Sequence, residues 1–152
     1  MRIFEIFADN VFKISLMEMA FERKVCIDTI RGLAYPISIH LVKVLAFDDE
    51  ANAHWVKELD TFLEQVNSLT MKPKGKKLKG ETYYSLLWDE PLNNGIPFIT
   101  DIIGKLVRKG GYENCTRSSL TDAQIYEQCE KILHKVSYDI ALNKYQDFSD
   151  YI

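Results

Sequence analysis

The chain has 152 residues, 47% of them hydrophobic and 27% charged, the make-up of one ordinary globular domain, which excludes intrinsic disorder. Its formal net charge is −3, but Lys72, Lys74, Lys76, Lys77 and Lys79 crowd into one short stretch, and with those five set aside the remainder carries −8. Cys26, Cys115 and Cys129 are odd in number and lack C-x₂₋₄-C spacing, which excludes a disulfide framework or a zinc knuckle and fits reduced thiols in the cytoplasm.

Residues 2–14 intersperse apolar positions with Glu5, Asp9 and Lys13, so no signal-peptide core is expected, and the segment reads as either helix or strand. No stretch reaches the roughly 20 apolar residues of a membrane span. Ser15 and Glu18 have the spacing of a capping box, opening a helix that carries Leu16, Phe21, Val25, Ile27 and Ile30. Gly32 stands where a left-handed C-terminal cap would close it. Pro36 suits the first turn of a second helix over 36–47, apolar nearly all round and therefore central.

Asp48 or Asp49 is expected to cap a third helix, whose stripe of Trp55, Leu59, Phe62, Val66 and Leu69 recurs at helical spacing. The stripe is too short for a coiled coil, so it predicts packing within the chain. The basic loop, 71–80, follows with Pro73, Gly75 and Gly80. A short aromatic helix over 81–88 then carries Tyr83, Tyr84, Leu86, Leu87 and Trp88 and stops at Pro91.

Asn93-Asn94-Gly95 is a turn signal, and Pro97 or Thr100 opens a fifth helix that Gly110-Gly111 closes after Lys109. Residues 112–120 read as a polar loop. Thr121 and Gln124 form a second capping box before a long helix with Ile125, Cys129, Ile132, Leu133, Val136 and Ile140 on one face. Residues 146–152 are expected to be a loose tail. The predicted architecture is a single all-α domain, a bundle of about five to six helices with a lysine-rich connecting loop.

No catalytic constellation accompanies this scaffold. Residues 75–82 have the glycine spacing of a phosphate-binding loop, but Glu81 stands where the lysine belongs and would repel phosphates. His54 lies one turn from Glu50 and from Glu58, a trio that would favour a protonated imidazole or attract a divalent metal, although such pairs are common on solvated helices. His40 and His134 flank apolar stripes and read as core or boundary residues. Asp89 and Glu90 are adjacent, so their side chains diverge and do not make an acid–base pair. Cys115 has no local base. No catalytic residue, metal or cofactor is expected.

What remains is charge. The acidic body predicts a non-catalytic protein-binding domain that meets a basic partner, with Asp48, Asp49, Glu50, Glu58, Asp89 and Glu90 as its contact residues. Immunity proteins that neutralise toxins, and small inhibitors of nucleic-acid-processing or defence proteins, share this profile of size and charge. The alternative is a nucleic-acid-binding accessory protein using Lys72, Lys74, Lys76, Lys77 and Lys79, against which stands the absence of arginine from that loop. An unrecognised enzyme centred on residues 48–58 is the third reading. No membrane partner is expected.

Overall fold

A 45-residue helix, α1 (Arg2–Ala46), organises the fold. The computed structural model describes the backbone of residues 2–69, 77–109, 112 and 114–152, and within these ranges the side chains of Met17 and of residues from 22 onward. Residues 2–14 are therefore helical, and neither Ser15 nor Pro36 begins a helix.

The expected break at Gly32 does not occur, and packing explains why. Cys26, Ile30, Ala34, Ile37, Leu41 and Leu45 are buried along one helical stripe, and a break would turn half of it away from the core. Pro36 offers no N–H to the Gly32 carbonyl four residues back, and Gly32 is on the exposed side of the helix. Because the helix is continuous, Glu22–Ala46 is long and apolar enough to cross a membrane by length and composition. In this fold its apolar stripe lies in the core, where Ile30, Ile37, Leu41 and Val42 are fully buried.

The chain then forms β1 (Phe47–Asp48), α2 (Asn52–Ser68), α3 (Gly80–Tyr84) with a π-helical turn (Ser85–Asp89), α4 (Ile96–Arg108), β2 (Thr116–Arg117) and α5 (Asp122–Ala141). Helix α2 folds back on α1 and buries Trp55, Leu59, Leu63 and Val66; of the expected stripe, Phe62 is partly buried and Leu69, also partly buried, lies just past the helix end. The result is a mostly helical molecule, as its periodicity implies. The two-stranded ladder is a correction: Phe47 pairs with Arg117 and Asp48 with Thr116, antiparallel, where a helix end at Phe47, a cap at Asp48 or Asp49 and a polar loop over 112–120 are expected. Two residues per strand carry no readable period of two, so the sequence holds no signal for it.

Pro91 does more than stop the aromatic helix. Without an N–H it leaves the buried Leu87 carbonyl unpaired, since the Leu92 amide donates to Trp88. The Ser38 hydroxyl, fully buried on α1, donates to Leu87 at 3.0 Å and fills that vacancy. Gly80 likewise serves packing. A Cβ there would lie 2.5 Å from the Tyr138 ring, so glycine lets α3 approach α5 closely. The second glycine of the phosphate-loop pattern is thus occupied by an aromatic contact.

Gly95 has φ +69° and turns the chain into α4, with Pro97 in the first turn as expected. Thr100 lies within α4 and donates to Asp122 at 2.8 Å. The second capping box is realised: the Gln124 amide donates to Thr121 Oγ1 at 3.2 Å, and the Thr121 amide to Gln124 Oε1 at 2.9 Å.

The expected loose tail at 146–152 is corrected as well. Phe148 is fully buried in a 3₁₀ turn, Phe148–Tyr151. The Tyr145 hydroxyl and the Phe148 amide both donate to Asp60 Oδ1, at 2.5 and 3.0 Å, and the Tyr151 hydroxyl donates to Asp139 at 2.6 Å. Sequence composition alone, with Asp147 and Asp150 among the aromatics, conceals this docking because its acceptors lie on α2 and α5.

Candidate functional site

The acidic residues proposed as contacts fall into separate places. Asp48, Asp49 and Glu50 occupy the corner between α1 and α2. The carbonyls of Val44, Leu45 and Ala46, at the end of α1 where a helix leaves carbonyls unpaired, each accept from a residue of another segment. Asn52 Nδ2 donates to Val44 at 3.1 Å and to Phe47 at 3.1 Å. Ser118 Oγ donates to Leu45 at 2.6 Å, while the Ser118 amide and Arg117 Nε donate to Ala46 at 2.8 and 3.2 Å.

Asp49 closes the corner from within, accepting from the Ala51 amide at 2.8 Å rather than capping α2 directly. Beneath it, Phe47, Trp55 and Tyr112 form an aromatic cluster with Lys43 over the Tyr112 ring. Asp48 and Glu50 stay exposed on this rigid frame.

Glu58 belongs to a different arrangement. It inserts its carboxylate between two histidines, Oε2 at 2.5 Å from His40 Nε2 and Oε1 at 2.6 Å from His54 Nε2. His40 Nδ1 faces the Pro36 carbonyl at 2.7 Å, so that nitrogen is the donor there, and Nε2 is hydrogen-bonded to Glu58. The hydrogen bond from His40 holds the Glu58 carboxyl below the ordinary glutamate value. Glu50 precedes α2 in the turn and does not join this pair as the sequence trio implies. The carboxylate thus occupies both Nε2 atoms, and among the described residues no group of three or more His, Cys, Asp or Glu is arranged to hold a metal.

Glu90 pairs with Arg31, at 2.9 Å to Nε and 3.2 Å to Nη2, a two-pronged clamp that ties the π-helical turn to α1 and keeps the Glu90 carboxyl below its ordinary value. Arg31 lies 15 residues before Ala46, roughly 22 Å along α1. Asp89 and Glu90 therefore do not belong to the acidic corner.

Of the basic loop, Lys72, Lys74 and Lys76 lie outside the described residues. Lys77 is engaged: its Nζ donates to the Asn67 carbonyl at 3.0 Å, to Asn67 Oδ1 at 3.1 Å and to the Ile140 carbonyl at 3.2 Å. It clasps the C-terminal turns of α2 and α5, and burial pushes its ammonium below the ordinary lysine value. Lys79 is exposed. This clasp joins residues far apart in sequence and has no local signal.

Burial raises the thiols of Cys26, Cys129 and Cys115, the last also raised by Asp49. Burial pushes Tyr83 up to about 12. His134 is exposed between the Tyr84 and Tyr138 rings at 4.5 and 5.1 Å, at the α3–α5 seam. Comparison of the chain with protein-family models, curated proteins and solved structures gave no match.

Proposed function

We propose that the chain is a non-catalytic, cytoplasmic protein-binding domain whose acidic corner docks on a basic surface of another protein, as a toxin-neutralising immunity protein or a small inhibitor of a nucleic-acid-processing protein does. The observation that carries this reading is the frame under Asp48 and Glu50. The backbone that carries these two exposed carboxylates is held by bonds from Asn52, Arg117 and Ser118 to the carbonyls at the end of α1, so binding has to order side chains but not the corner itself. A net charge of −3, concentrated outside the basic loop, steers a cationic partner toward such a patch.

The test is capture of a partner by tagged wild type and by Asp48→Lys/Glu50→Lys, with identification by mass spectrometry. A basic protein retained by the wild type, released by rising salt and lost from the double variant is the expected result. Retention by the double variant, or capture of nucleic acid in place of protein, would overturn the reading.

A further inference from the structure

A half-open groove of about 300 Å³ lies between α1 and α4 and is independent of the acidic corner reading. Its floor is apolar, formed by Ile39 on α1 and by Ile102 and Leu106 on α4. Lys105, Arg108 and Lys109 line its rim together with Tyr35, which is half exposed. The chain as a whole is acidic, so three cations beside one apolar floor are a local reversal of sign.

Basic residues in a last helical turn ordinarily complement the helix dipole, a contribution of about 0.3–1 kcal/mol. That accounts for one cation more readily than three. Lys105 is neutralised by Asp101 at 2.9 Å. Among the described residues neither Arg108 nor Lys109 is paired with a carboxylate.

The Arg108 guanidinium lies back along α4, where a Cβ at Gly104 would come 3.2 Å from Nη1, a contact that the exposed arginine tip can relieve by a small shift.

We infer that this groove binds a small amphipathic monoanion, a medium-chain carboxylate. Its tail lies on Ile39, Ile102 and Leu106, and its carboxylate meets Arg108 and Lys109. The volume sits at the lower end of small-molecule sites, roughly 300–1,000 Å³. A guanidinium offers the carboxylate two parallel N–H donors.

Titration of the full chain with octanoate, octanol and acetate, followed by amide and methyl NMR, tests the proposal. Octanoate should bind at least tenfold more tightly than either control, with shifts confined to Tyr35, Ile39 and 102–109. Arg108→Gln/Lys109→Gln, two exposed positions, should lose tenfold or more for octanoate and leave octanol unchanged. Equal binding of octanol, shifts spread over the surface, no binding, or full retention by the double variant would overturn it.

Discussion

At the residue scale, Ser38 and Glu58 each bond a residue distant in sequence, Leu87 and His40, although the pairing of Glu58 with His54 is legible from their spacing. Ser38 stands in for the amide that Pro91 lacks. Ser38→Ala leaves a buried carbonyl without a donor and should destabilise the fold by about 1–3 kcal/mol in urea unfolding. Glu58 is the second. Its folded-state value lies below 4.5, so its contribution is present above about pH 4.5 and is lost as pH falls through the lower folded value. Glu58→Gln should therefore lower stability at neutral pH and flatten the fall between pH 4.5 and acid unfolding. An identical acid profile in the variant would show that the His40–Glu58 contact carries no linkage.

At the scale of elements, legibility follows how local the determinants are. The Thr121 box is closed by residues three apart, and α5 begins where the sequence places it. The α2 stripe is legible for the same reason, since Trp55, Leu59 and Val66 recur within one helix and are buried. Gly32 and Pro36 mislead because they are local signals overruled by a longer one. The stripe from Ile30 through Ile37 to Leu45 crosses them in phase, and burial of that stripe outweighs one absent hydrogen bond. The docked tail was illegible because its anchor, Asp60, is 85 residues from Tyr145. Asp60→Ala removes the acceptor of both bonds and should cost about 1–3 kcal/mol. It should also speed amide exchange at Phe148, whose N–H donates to that carboxylate. Unchanged protection at Phe148 would mean that apolar burial alone seats the tail.

At the scale of the whole molecule, the division between a cationic stretch and an anionic body is real in sequence but uneven in use. A solvated loop would tolerate loss of all five lysines, and the clasp made by Lys77 separates one of them from the rest. Its ammonium meets the ends of two helices that approach from opposite parts of the chain, where carbonyls concentrate negative potential. Lys77→Gln shortens the side chain and removes that charge, and should destabilise by about 1–3 kcal/mol. Neutralising Lys72, Lys74, Lys76 and Lys79 to Gln takes the net charge from −3 to −7 and should leave unfolding within about 0.5 kcal/mol of wild type. If the acidic corner binds a basic protein, the four-lysine variant should associate as fast or faster, and the difference should vanish at high salt. If the lysines bind nucleic acid, the same variant should lose affinity and salt dependence together. Urea unfolding and association kinetics on the two variants, side by side, thus separate a lysine that holds helices together from lysines that meet a partner.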